Sequence, residues 1–200
     1  MSNAHPPAPD SGLPPLPVAI RYLAVVIVGY IGIYLCRKNL GVAVPLIQED
    51  LGVDKQAIGV VASISTIAYA LGKVFWGPLV DRIGGRIGFL TSMSLVALFC
   101  GLGGFAPSLG ALIWIYSLNR FAGSGGWSGM VKQMPDWFPL RMMGKAMAVL
   151  SLSFVVGGIC AAFLAGQIAV WSDGDWRWVM GGPALALAAI IGVTAALLPK

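Results

Sequence analysis

The length of its apolar runs constrains this chain more than any other feature. Six stretches, at about 18–47, 56–80, 87–105, 109–134, 145–170 and 176–198, are almost free of charge. Each approaches or exceeds the ~20 residues that a membrane-spanning helix needs. The runs are continuous rather than alternating, and an open sheet cannot satisfy its backbone in lipid, so helices are expected throughout. Composition agrees. Only 10% of the 200 residues are charged and 58% are hydrophobic, whereas soluble domains carry roughly 25% charged residues. The expected fold class is all-α transmembrane, a six-helix bundle over 18–200, in which 27 glycines let helices approach closely. Residues 1–17, rich in Pro with Ser, Asn and Gly, read as a disordered polar tail. They lack the basic region of a signal peptide, and the apolar run behind them is too long for one.

Inventory removes several functions. Net charge is +5, but the basic residues are scattered, so nucleic acid is not an expected partner. The single histidine, His5, lies in the tail, which leaves none for catalysis or metal binding in the spans. Cys36, Cys100 and Cys160 fall in separate segments without metal or redox spacing, and read as small buried hydrophobes. No metal or cofactor is expected. An enzyme has no support, because no nucleophile, base or metal set exists at membrane depth.

The connections are short, so loop charge indicates orientation. Arg21, Arg82, Arg86, Arg141, Lys145 and Lys200 share one side, against Lys55 and Arg177 on the other. The lipid bilayer is thus the first partner, and both termini are expected to be cytoplasmic, in the cell (inner) membrane. Trp171, Trp176 and Trp178 read as an interfacial aromatic belt at the outer end. Asp173 and Asp175 suit the first turn of the sixth helix, where the dipole favours carboxylates.

Five basic residues remain inside the spans: Arg37, Lys38, Lys73, Arg120 and Lys132. Of the eight acidic residues, Asp10, Glu49, Asp50, Asp54, Asp173 and Asp175 lie outside them, and Asp81 and Asp136 sit at helix ends. No carboxylate is left at mid-membrane depth. An intramembrane cation is costly unless it faces protein, water or a counter-ion, so the missing partner is expected to be an anionic ligand. Arg suits bidentate contact with phosphate or carboxylate. A proton relay is disfavoured, since no Asp, Glu or His is present to carry one.

Helical spacing sorts the cations. Tyr30, Tyr34, Arg37 and Gly41 fall on one stripe, which puts Arg37 beside two phenols that can donate hydrogen bonds. Lys38 is about 100° further round; it either shares the ligand or serves packing or gating. In the second span Thr66, Tyr69, Lys73, Trp76 and Gly77 form a similar stripe. Lys73 lies roughly 10 Å by helical rise from the cytoplasmic end, where a ligand role competes with snorkelling. Arg120 fits a contact to polar groups as well as it fits a ligand. Lys132 precedes Asp136 by four residues, so a local pair competes with a ligand role. Gly123, Gly125, Gly126 and Gly129 read as close helix packing rather than phosphate-binding backbone.

Between the second and third spans stands Gly77-Pro78-Leu79-Val80-Asp81-Arg82-Ile83-Gly84-Gly85-Arg86. This resembles the G-x-L-x-D-R-x-G-R-[RK] signature of the major facilitator superfamily, departing only at Gly85, where a basic residue is common. The resemblance implies a latch for the cytoplasmic gate built on Gly77, Asp81, Arg82, Gly84 and Arg86. Tyr34-Leu35-Cys36-Arg37-Lys38-Asn39 is similar to the Y-x-x-R-K-N signature of the organophosphate:anion antiporters, which exchange glycerol 3-phosphate or hexose phosphates for inorganic phosphate. The similarity continues through Ala68-Tyr69-Ala70-Leu71-Gly72-Lys73, Gly126-Trp127 and Trp137-Phe138. It implies that Arg37 binds the phosphoryl group with help from Lys73; Tyr30, Tyr34, Trp127 and Lys38 are the further candidates for the substrate site. Two departures concern the organic part of the substrate. Gly126-Trp127-Ser128-Gly129-Met130 replaces the family's G-W-P-P-C, and Phe154 stands where glycerol 3-phosphate transporters carry a histidine.

Members of that family have two six-helix halves with the substrate between them near the midplane. The chain stops at Leu198-Pro199-Lys200, where a central linker is expected to begin, and so reads as the N-terminal half of such a fold. A fragment, a split gene product and a dimerising subunit all fit. The expected function is secondary active transport of phosphorylated or other organic anions by alternating access, with a second six-helix half or homologous subunit as partner. A transporter of non-phosphorylated organic anions, or a non-transporting membrane sensor of the same ligands, is the alternative.

Overall fold

The computed structural model describes residues 12–198. His5, Asp10, Lys200 and most of the 1–17 tail therefore lie outside the described residues. Among the described residues every regular element is helical.

Helix α1 (Leu16–Leu35) starts on Pro15 and Pro17, whose missing N–H groups cost nothing in a first turn. The expected first span does not continue as one helix. It breaks at Cys36–Asn39 and resumes as α2 (Leu40–Leu51), which ends at Gly52 in the left-handed conformation, φ 61°. Asp54 caps α3 (Lys55–Ile83), its carboxylate accepting from Ala57 N–H at 2.8 Å. Helix α3 turns directly into α4 (Gly85–Gly103) through Gly84, at φ 87°. Ser108 caps α5 (Leu109–Gln133), which runs into a short 3-10 turn at Met134–Asp136. Helix α6 (Leu140–Trp171) is followed by α7 (Trp176–Gly181), capped by Asp175, and α8 (Pro183–Leu197). The expected sixth span is thus two helices joined at Gly182 and Pro183, where proline withdraws a backbone donor.

Helix α5 is the centre of the bundle, packed on α3 along one side and α4 along the other; α1 packs on α6 and α8. Five helical stretches (Leu16–Leu51, Lys55–Ile83, Gly85–Gly103, Leu140–Trp171 and Trp176–Leu197) are long and apolar enough to cross a membrane. Helix α5 falls short in hydropathy only. Its 25 residues span about 37 Å, and two of its polar groups are met by neighbouring helices. Asn119 donates to the Val96 carbonyl at 3.0 Å, and Trp76 Nε1 donates to the Phe121 carbonyl at 3.1 Å.

Two helices bury a single stripe each. Helix α3 buries Val61, Ser65, Gly72, Trp76 and Val80; α6 buries Ala146, Leu150, Ser153, Gly157, Ala161 and Ala165. Their opposite faces expose large apolar residues, among them Leu71, Val74 and Phe75 on α3 and Val155, Ile159 and Phe163 on α6. Small residues on the buried stripes set the spacing. A Cβ on Gly72 would lie 2.7 Å from the Phe121 carbonyl oxygen, and one on Gly157 would lie 2.8 Å from Tyr34 Cβ. The core has two parts, one around Tyr30, Ile33, Phe89 and Met93, the other around Ile47, Val61, Leu112 and Trp176. The break in the first span sits at the waist between them.

Two expectations change at the ends of the bundle. Lys132 does not pair with Asp136. Its ammonium sits 2.7 Å from Asp81, at the far end of α3, because α3 and α5 lie side by side there. Trp176 does not belong to an aromatic belt with Trp171 and Trp178, which are exposed. It is buried, 1% accessible, and its Nε1 donates to Asp50 at 2.7 Å; Arg177 reaches the same carboxylate at 3.1 Å.

Candidate anion site

Residues of α1, α3 and α5 meet at the waist. The backbone of the break is held from two directions. Tyr116 Oη on α5 donates to the Arg37 carbonyl at 2.9 Å. Asn39, 1% accessible, donates through Nδ2 to the Met180 and Val179 carbonyls of α7 at 3.0 and 3.2 Å. Cys36 and Cys100 are neighbours at the same level, and Cys100 Sγ donates to the Met180 carbonyl. Asn39 stands within the Tyr34–Asn39 motif, whereas no motif or spacing in the sequence marks Tyr116. Their role depends on contacts 140 and 79 residues away along the chain.

With its backbone pinned, Arg37 projects its guanidinium over two aromatic rings. Cζ lies 4.4 Å from the centre of the Tyr69 ring and 5.2 Å from that of Tyr34. The Tyr69 ring collects two further cations: Arg120 Cζ at 4.9 Å and Lys73 Nζ at 5.3 Å. The cause is local. Gly72 lets α3 close onto Phe121, so the residues flanking that contact, Tyr69 and Lys73 on one helix and Arg120 on the other, are brought together. Tyr116 and Arg120 are one turn apart on α5, so the residue that holds Arg37's backbone and the one that shares its ring occupy one face.

Three cations around one neutral ring would ordinarily call for carboxylates. Among the described residues none pairs with Arg37, Lys73 or Arg120; the ion pairs present join Lys132 to Asp81 and Arg177 to Asp50 and Asp175. Arg37 Nε is buried without a hydrogen-bond partner. The tyrosine face offsets part of the cost, at about 0.5–2 kcal/mol for each cation. It has too little negative potential to neutralise three charges.

The remaining expected residues take different places. Tyr30, 1% accessible, and Tyr34 form an aromatic wall with Trp127 and Phe154; ring centres lie 5.4 Å apart for Tyr30–Tyr34 and 4.7 Å for Trp127–Phe154. Tyr34 touches both the wall and Arg37. Tyr30 and Trp127 stand behind it, 5.9 Å from each other. Lys38 is exposed and lies outside the cluster. Tyr69 and Arg120 were legible only in part. Tyr69 shares a helical stripe with Lys73, but nothing in the sequence brings Arg120 to them.

The α3–α4 turn carries the other motif. Asp81 pairs with Lys132, and Arg86 donates to the Ala195 and Leu198 carbonyls at 3.3 Å, closing the C-terminal end of α8. Arg82 is exposed, and Gly77 faces open space. The motif's one departure has a steric reason. A Cβ on Gly85 would lie 2.8 Å from the Gly129 carbonyl oxygen and 2.5 Å from Gln133 Cγ, so α4 starts against α5 with no room for a side chain.

The profile of the Major Facilitator Superfamily matches residues 26–200. The chain belongs to the major facilitator superfamily. Its helices form the N-terminal half of that fold, and it is a multi-pass membrane protein of a transporter rather than an enzyme family. The Glycerol-3-phosphate transporter of Bacillus subtilis (strain 168) is 30% identical over 180 residues, covering 88% of this chain and 40% of that protein. The Probable hexose phosphate transport protein of Chlamydia pneumoniae is 26% identical over 166 residues, covering 83% and 36%. The Gentisate transporter of Corynebacterium glutamicum is 27% identical over 184 residues, covering 88% and 40%. The chain thus spans about two fifths of the length of these curated relatives. The likeness to organophosphate transporters read from Arg37 and Lys73 agrees with two of these three names.

Proposed function

We propose that this facilitator half takes part in alternating-access transport of phosphorylated or other organic anions. Arg37 is the main ligand to the anion and Lys73 its helper. One observation carries the reading: Arg37 and Lys73 converge on the Tyr69 ring, 4.4 and 5.3 Å from its centre, with no carboxylate partner among the described residues. A phosphoryl group supplies the missing negative charge and matches the fork of a guanidinium. In this reading Tyr34 donates from the edge of the site, and Tyr30 and Trp127 shape its wall. Lys38, exposed beside the break, acts on gating rather than on the ligand. Inorganic phosphate is the exchange partner, and a second six-helix half or homologous subunit completes the path. The membrane is the cell membrane with both termini cytoplasmic, which places Gly77, Asp81, Arg82, Gly84 and Arg86 at the inner gate.

A carboxylate substrate is the second reading, favoured by the likeness to a protein named for gentisate. Titration of the purified chain in lipid nanodiscs with inorganic phosphate, glycerol 3-phosphate and gentisate separates the two. Phosphate binding that is lost in Arg37→Ala supports the first. Gentisate binding untouched by excess phosphate supports the second. Unchanged phosphate binding in Arg37→Ala overturns the site.

A further inference from the structure

We infer that Arg120 is a specificity-determining residue of the anion site, selecting ligands with two negative charges over those with one. The inference rests on the anion reading of Arg37 and Lys73 and adds to it what the third cation does. Helix α5 supplies Arg120 to the Tyr69 ring at 4.9 Å, from a different helix than either Arg37 or Lys73. Arg120 and Arg37 cannot be further apart than their two ring distances, 4.9 and 4.4 Å, laid end to end.

Like charges at such separations repel unless something anionic lies between them. No carboxylate among the described residues does so, and Arg37 Nε is buried without a hydrogen-bond partner, which leaves donor capacity unused. Unlike Arg86, which donates to carbonyls of α8, Arg120 shows no hydrogen bond to a carbonyl among the described residues and faces the Tyr69 ring.

A monoanion is fully served by Arg37 and Lys73. A dianion gains a third attraction, and Arg120 is the group placed to supply it. Arg120 thereby sets a charge requirement, whereas Tyr30, Trp127 and Phe154 meet the uncharged part of the ligand.

Sulfate and methanesulfonate provide the test, since both present tetrahedral oxyanions and differ in charge independently of pH. Binding of each to the purified chain in nanodiscs is measured by calorimetry for the wild type, Arg120→Gln, Arg120→Lys and Arg37→Gln. In Arg120→Gln sulfate affinity is expected to fall about tenfold or more and methanesulfonate affinity less than threefold. Arg120→Lys is expected to recover most of the sulfate affinity, because charge rather than shape is required. Equal losses for both anions, or none for sulfate, overturn the inference. In either case a loss of both anions in Arg37→Gln leaves the anion site itself standing. A wild-type chain that binds neither sulfate nor phosphate overturns both readings.

Discussion

Replacing Arg37 with glutamine should make the empty protein more stable while removing anion binding. The magnitude follows from the ring geometry. Arg37 and Arg120 lie 4.4 and 4.9 Å from the Tyr69 centre, and Lys73 lies 5.3 Å from it. Arg37 is therefore within about 9–10 Å of each of the other two, where repulsion at an effective dielectric of ~20 is roughly 1.7–1.8 kcal/mol per pair. Glutamine removes both repulsions. It also loses two cation–π contacts, to Tyr69 and Tyr34, worth about 0.5–1 kcal/mol each when part-exposed. The balance is about 1.5–2.5 kcal/mol in favour of the variant, or some 3–10 °C on the scale of a domain this size. Thermal unfolding in detergent, followed by tryptophan fluorescence, reads it directly. Phosphate should raise the midpoint of the wild type, since a ligand of the folded state stabilises it by mass action, and leave Arg37→Gln unmoved. A variant that melts several degrees below the wild type would refute the reasoning, because Arg37 would then be a structural cation with a partner.

Tyr116→Phe releases the Arg37 carbonyl without changing any charge; phosphate affinity should fall about threefold to tenfold with the salt dependence of binding unchanged, at a stability cost near 1 kcal/mol. Gly85→Arg, which restores the common form of the α3–α4 motif, should destabilise by about 1–3 kcal/mol through overpacking against Gly129 and Gln133, read as a lowered unfolding midpoint. Lys132→Ala should change stability by less than about 1 kcal/mol, since both it and Asp81 are half-exposed, with 48% and 64% of their side chains accessible. That small effect should vanish in ~1 M salt.

The helices were legible because lipid leaves few alternatives. Uninterrupted apolar runs indicated helices, although two of the six expected spans are each built of two helices, and the acid inventory exposed the unpaired Arg37. What escaped was tertiary in origin. The break at Cys36–Asn39 is set by carbonyls of α7, some 140 residues on. The local pairing rule chose Asp136 for Lys132, four residues away, but parallel packing of α3 and α5 brought Asp81 to it. Trp176 matched the composition of an interfacial belt, yet it is buried in the core around Ile47, Val61 and Leu112, with Asp50, distant in sequence, accepting from its Nε1. The join within the sixth span was visible as Gly181-Gly182-Pro183, a signal outweighed by the apolar run around it. Arg120 joined the cluster because Gly72 admits close packing on α5, and helix pairing is not encoded in the spacing of either helix alone.

The break in the first span also sets the surroundings of its two adjacent cations. At the end of α1 the last carbonyls carry a partial negative charge, and a cation at a helix C-terminus gains about 0.3–1 kcal/mol. Both Arg37 N–H and Lys38 N–H return to the Tyr34 carbonyl, so the chain is still tightly wound where the charges sit. The break places the two cations between the carbonyl end of α1, which favours them, and the N–H end of α2, which does not. The backbone is then fixed by Tyr116 and Asn39, while the Arg37 guanidinium keeps an unpartnered donor. In the proposed anion reading, a rigid main chain and a head already seated on two rings leave little to order on anion binding, which lowers its entropic cost. On the same proposed reading, Asn39 serves recognition without touching a ligand: it holds the break in place, and the break determines where Arg37 points.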